Sequence, residues 1–219
     1  MESRRSEVTL LRQIAKKLWK HSFFFVLIGI FLLLFGAAAG GGYLLWCRHI
    51  RKNPPPPDVA RILPLLHHGD IILRSGVGVW SDLFRARNTR DKRFSHVGIV
   101  SIGADGVCRV LHSEADDLTG SGTVAWDTLE HFVGSSSGIG ISRLHAGDPA
   151  ALVSAAASFL GRPFDWKFDR RDDSAVYCTE LIDLALRKLD PAWRLPDDDG
   201  IILPEACFAP EYFTEIPVP

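Results

Sequence analysis

The stretch FSHVGIVSIGADGVCRVLHSE, residues 94–114, decides how the chain folds. Phe94, His96, Gly98, Val100 and Ile102 fall on one face and Val97 and Ile99 on the other, the period of two that marks a β-strand. Gly103-Ala104-Asp105-Gly106 is a strong turn signal, and Val107–Glu114 reads as the returning strand. That turn sets residues i and j opposite one another when i + j is about 209, give or take one. His96 then faces Ser113, flanked by His112 and Glu114; a register one step either way puts His112 or Glu114 directly across. Cross-strand neighbours stand ~4.5–5.5 Å apart. A histidine and a group able to orient it are therefore neighbours by strand pairing alone.

On the N-terminal side, Asp58–Leu66 reads as a short amphipathic helix or turn. His67-His68-Gly69-Asp70 is a polar turn rather than a chelate, and leads into the short buried strand Ile71–Leu73. Gly76 and Gly78 lack the further Gly or Lys-Ser/Thr of a phosphate loop and read as an ordinary loop. Trp80–Arg87 suits a helix with Trp80, Leu83 and Phe84 on one face. Arg85, Arg87, Arg90, Lys92 and Arg93 form a basic cluster, either a solvated loop or a surface for anionic lipid or substrate.

On the C-terminal side, Gly120–Thr123 reads as a loop and Trp126–Phe132 as a short helix opened by Asp127 or Thr128. Gly134–Gly140 reads as flexible, and Ile139–Leu144 as a strand. Asp148-Pro149 caps a helix over Ala150–Leu160 that Gly161 ends. A short aromatic segment, Phe164–Phe168, precedes a helix carrying Cys178 through Leu189, which Pro191 stops. No internal repeat is visible. Strands first, then helix, strand and helix, indicate an α+β domain with a small antiparallel sheet packed on helices.

The 219 residues suit one domain with an appendage, and the net charge of −1 hides an asymmetry. Residues 1–57 hold nine Lys/Arg against two Asp/Glu, and the remaining residues sixteen against twenty-four. An acidic body excludes a nucleic-acid-binding role, which needs a basic footprint. Residues 23–46 carry no formal charge and are long enough to cross a bilayer. Six basic residues precede that span and three follow it, so the positive-inside rule keeps the N-terminus cytoplasmic. The expected organisation is a basic cytoplasmic leader (1–22), a transmembrane helix (23–46), a proline-rich linker (47–57) and an exported domain (58–219). It would sit in the inner membrane, facing the periplasm or cell exterior. Two competing readings are a signal peptide cleaved near Ala37–Ala39 and a lipoprotein using Cys47, which the bulky Trp46 disfavours.

Four cysteines occur, at 47, 108, 178 and 207, without CxxC spacing and without an HExxH, so a zinc site lacks a framework. In an exported domain Cys108 and Cys207 form a disulfide or are small core residues. Cys178 stands at the start of its helix, where free amides and the helix dipole favour the thiolate and offer an oxyanion site. Its pKa is expected well below the ~8.5 of free cysteine. The plain alternative is a core cysteine in an amphipathic helix. With His96 and its polar neighbours, Cys178 makes a Cys–His–polar constellation.

Five stretches carry a family resemblance: Leu66–Leu73 with Gly69-Asp70-Ile71-Ile72, Phe94–Val100, Glu114-Ala115, Pro163-Phe164-Asp165 and Tyr177-Cys178-Thr179-Glu180-Leu181. In this order they resemble the YiiX/YebB-like group, circularly permuted papain-fold cysteine hydrolases of the NlpC superfamily. The resemblance covers about residues 60–210. It implies a small barrel-like sheet on helices, with Cys178 as nucleophile, His96 as general base and Glu114 as the orienting residue. It implies cleavage of amide or isopeptide bonds in cell-wall or other peptides, with no metal or organic cofactor. Lipid-acting relatives share the permuted arrangement, so a lipid-directed acyl hydrolase or acyltransferase is the alternative, followed by a non-catalytic binding domain. Phe164 where Tyr is common and Thr179 where Ser is common bear on substrate preference.

Overall fold

The computed structural model describes residues 35–36, 40–42, 55–116 and 119–219. The chain divides into two units, 1–54 and 55–219. In the first, the described residues are helical; the expected leader, most of the membrane span and most of the linker lie outside the described residues. No helix among the described residues is long and apolar enough to cross a membrane.

The second unit opens with Asp58, whose carboxylate accepts the Ala60 amide and caps α1 (Val59–Ile62), continued by a 3₁₀ turn over Leu63–Leu65. Then follow β1 (Ile71–Gly76), α2 (Val79–Arg87), β2 (His96–Ile102), β3 (Cys108–Ala115) and β4 (Gly122–Thr128). After these come α3 (Leu129–Gly134), β5 (Ser136–Leu144), α4 (Pro149–Ala157), α5 (Cys178–Leu189) and β6 (Phe213–Ile216). The six strands form one antiparallel sheet in the order β4-β3-β2-β1-β5-β6. This is an α+β fold, one antiparallel sheet with helices on both faces.

Alternation along the strands produces two cores, one on each face of the sheet. Ile71, Leu73, Val97, Ile99 and Leu111 pack against α4 and α5 through Leu152, Leu181, Ile182 and Ala185. Ile72, Val100 and Val110 pack on the other face against Ile62 of α1 and Leu129, Phe132 and Val133 of α3. Cys207 belongs to the first core and Cys108 to the second, and both are free thiols. The sheet separates them, which excludes a disulfide between them.

Residues 122–128 correct the sequence expectation: the segment read as a loop and a helix start is strand β4, paired with β3 from Arg109↔Thr128 to Ala115↔Gly122. Among its seven residues only Val124 is buried, so alternation has little to mark. Thr128 caps the following helix by accepting the His131 amide at 3.1 Å. The outer edge of β4 is covered: Val124 exchanges backbone bonds with Arg162 and Gly161, and Gly122 accepts from Phe164. This contact is why α4 ends at Ala157, short of the expected Leu160, and turns through Gly161 at φ +80°.

Candidate active site

The β2–β3 ladder has the register Ile99↔Leu111, Val100↔Val110, Ser101↔Arg109 and Ile102↔Cys108, and pairs no residue of β2 before Ile99. Beyond it the N-terminus of α5 meets the sheet, and the Val97 amide, with that of Thr179, acts on the Cys178 thiol. Ser113 anchors the approach by donating its hydroxyl to the Val176 carbonyl at 2.5 Å. Cys178 is thus held half-buried at the first position of α5, lining the same cleft as His96 and Glu114.

His96 Nε2 lies 2.9 Å from His112 Nδ1, with the rings edge to face. The residue touching His96 is therefore His112, and the expectation that Glu114 fills this position is corrected. Glu114 is instead ion-paired with Arg74 of β1, and its other oxygen is 3.6 Å from His112 Nδ1. Arg74 pairs across the strands with His96, and the buried guanidinium also donates to the Phe132 carbonyl and lies 4.8 Å from that ring's centre. Charge attraction draws Glu114 towards Arg74 and leaves the imidazoles to each other. On its far side, His112 Nε2 faces Asp127 Oδ2 at 3.6 Å, and Asp127 bonds the exposed His131 at 2.5 Å. Gly98 makes room for His112: a Cβ at Gly98 would stand 2.4 Å from Val110 Cγ1 and 3.2 Å from His112 Cβ.

Burial, then the Arg74 charge, hold His96 well below its ordinary pKa and His112 down to about 4. Burial pushes Glu114 up, against the pull of Arg74. Burial also pushes the Cys178 thiol up to about 11, although the amides of Val97 and Thr179 favour its anion. The expected thiolate is corrected accordingly: desolvation of a charge in this cleft outweighs the helix terminus. At neutral pH these shifts leave Cys178 a thiol and His96 an uncharged imidazole. Glu180 turns away from the sulfur and accepts the Tyr177 amide at 3.4 Å.

The sequence reading missed Arg74, Asp127, Phe132 and the aromatic wall of the cleft. A charged residue directly after Ile71-Ile72-Leu73 was a usable signal for Arg74, because a buried arginine demands a partner. The same cleft is lined by Trp80 and Phe84 of α2 and by Phe164, Trp166 and Phe168; it holds about 660 Å³ of empty space, part of it open to solvent.

Among the described residues, His96, His112 and Glu114 are the one group whose ligand atoms converge, within 4.8 Å of one another. As arranged they do not suit a resident cation. Arg74 already neutralises Glu114 and places positive charge against both rings, and the two imidazoles are engaged with each other.

No curated protein matches the chain. Among solved structures, the metalloprotein YiiX from Escherichia coli O157:H7 is similar in fold, with a TM-score of 0.55 and 16% identity over 76% of this chain and 98% of that one. The model of the permuted papain-like amidases, the YaeF/YiiX or C92 family, matches residues 65–196, so this chain belongs to that family of cysteine-peptidase-type enzymes.

Proposed function

We propose that the protein is a membrane-anchored cysteine hydrolase that cleaves amide or isopeptide bonds in peptides, cell-wall peptides included, by way of an acyl-enzyme. The observation that carries this reading is the His96–His112 contact in a cleft that Cys178 lines from a helix N-terminus. His96 Nε2 is engaged by His112, which leaves Nδ1 to accept the thiol proton. That assignment places the Nε2 proton on His96, donated to His112, and turns the His112 proton towards Asp127. His112 takes the orienting role, and Glu114 holds Arg74.

As Cys178 attacks the acyl carbon, its proton passes to His96, so sulfur is never a free thiolate at rest. The first amides of α5 receive the oxyanion. His96 then gives the proton to the departing amine. Water, losing a proton to His96, cleaves the thioester, and the proton returns to Cys178. Anchoring rests on the uncharged span 23–46 and the charge asymmetry around it, which export the C-terminal domain.

Hydrolysis of an amide substrate library by the full chain in lipid nanodiscs tests this. Cys178→Ala and His96→Ala should each abolish turnover, and His112→Ala should lower kcat by 10²-fold or more with a small change in KM. Turnover that survives Cys178→Ala would refute the reading.

A further inference from the structure

Helix α2 is fastened to the body along one side. Phe84 packs edge-on against Phe168 at 5.7 Å between centroids, and the Arg85 guanidinium donates to the Gly76 carbonyl at 2.5 Å and to the Ser75 hydroxyl at 3.1 Å. Its outward side, with the loop before it, carries Val77, Trp80 and Leu83, which are 40%, 46% and 60% exposed. Trp80 and Leu83 are three positions apart on the helix and so lie side by side. Arg87 follows on the same side. Arg87, and Arg90 and Lys92 in the next loop, are exposed, and none has an ion-pair partner among the described residues. The acids nearby are already engaged: Asp82 by Arg85, Asp91 by Arg93, and Glu205 by the Thr89, Arg90 and Asp91 amides. An apolar strip that includes a tryptophan and is edged by unpaired cations has the composition of a helix that lies on a bilayer.

Charge sets this strip apart from the rest of the body. Residues 58–219 hold sixteen Lys/Arg against twenty-four Asp/Glu, yet five of the sixteen fall within residues 85–93. An otherwise acidic body is repelled by an anionic surface, and this face is where the repulsion turns to attraction. The uncharged span 23–46 brings such a surface within reach: residues 47–57 extend at most ~3.6 Å each, about 40 Å in all. A contact at the end of so short a tether forms at high effective concentration, so a small patch suffices. We infer that the Val77–Trp80–Leu83 strip and the flanking Arg87, Arg90 and Lys92 form a docking surface for an anionic lipid bilayer. The apolar side chains enter the headgroup boundary and the cations meet the lipid phosphates. The tether argument rests on the membrane-anchored reading, while the strip and its charges stand without it.

The test uses the full chain in nanodiscs doped with a phospholipid that carries a diazirine on its acyl chain, with adducts located by mass spectrometry after trypsin. In discs of phosphatidylglycerol, the peptide 75–85, which holds all three apolar residues, should carry adducts. Their yield should fall at least fivefold in discs of phosphatidylcholine, and about fivefold for Arg87→Gln and for Arg90→Gln, each of which removes one cation from the lipid surface. Leu83→Asn, at an exposed position, should lower the yield with an unchanged denaturation midpoint. Val107 and Trp126, exposed apolar residues outside the strip, serve as the internal reference. Adducts no more frequent on 75–85 than around Val107 and Trp126, or equal yields in the two disc compositions, would overturn the docking surface. Adducts within 23–46 report the anchor separately. Labelling of 23–46 without 75–85 sinks the docking surface and leaves the anchor; labelling of 75–85 without 23–46 does the reverse.

Discussion

Cys178 shows how two opposed local effects are decided by magnitude. A helix N-terminus contributes about 0.3–1 kcal/mol at exposed sites and up to ~2 when partly buried, whereas burying a charge shifts a pKa by several units. The thiol at about 11 is the outcome. Iodoacetamide labelling of Cys178 should therefore rise about tenfold per pH unit from neutrality towards pH ~10, following the thiolate fraction. A plateau between pH ~6 and ~8, read by mass spectrometry, would show a preformed thiolate–imidazolium pair and contradict the neutral resting state. At this scale the sequence placed His96 among the polar side chains of the hairpin but did not decide which of them its ring touches. Register left Ser113, His112 and Glu114 all within reach of His96. The choice fell to Arg74, which arrives on a different strand and draws Glu114 away.

The elements hold the site through a few buried polar ties. Asp183 of α5 is fully buried, accepts the Leu195 amide at 2.8 Å and is ion-paired with Arg170 at 3.3 Å and Arg187 at 3.2 Å. It fastens the helix bearing Cys178 to two loops at once. Asp183→Ala should cost about 3–5 kcal/mol of stability, because two arginines lose a buried partner. Asp183→Asn, which keeps an acceptor for Leu195, should cost less. Equal urea midpoints for Asp183→Ala and the parent would remove this role. The helix carrying Cys178 through Leu189 was legible from its apolar face and from Pro191 beyond its end. Strand β4 was not, since an edge strand with one buried residue leaves almost no periodic trace.

At the scale of the molecule, the buried titratable groups pull stability in opposite directions with pH. His96 and His112 have folded pKa values below the unfolded ~6.5, so the unfolded state binds more protons under that pH. Their contribution is complete above ~6.5 and is lost as pH falls towards about 4. Glu180, raised by burial to about 7, does the reverse: between the unfolded ~4.3 and about 7 the folded state binds more protons. Its ionisation costs stability as pH rises through that window. Replacing His112 by Asn should flatten the fall in denaturation midpoint between pH ~6.5 and ~4, and Glu180→Gln should steepen it. Both variants moving the acid limb the same way would show that one of these groups is misassigned.

Local structure was readable from residues near in the chain: the hairpin from its turn and alternation, the Cys178 helix from its apolar face and Pro191, the antiparallel α+β character from element order. These depend on backbone geometry and on side chains a few positions apart. The Arg74–Glu114 pair, the His112–Asp127 contact and the Trp80–Trp166 and Phe84–Phe168 contacts of the aromatic wall join residues 15 to 86 positions apart, while the sheet keeps Cys108 from Cys207. Their partners are selected by burial and charge once the sheet has closed, because desolvation makes each unpaired group costly only in the finished fold.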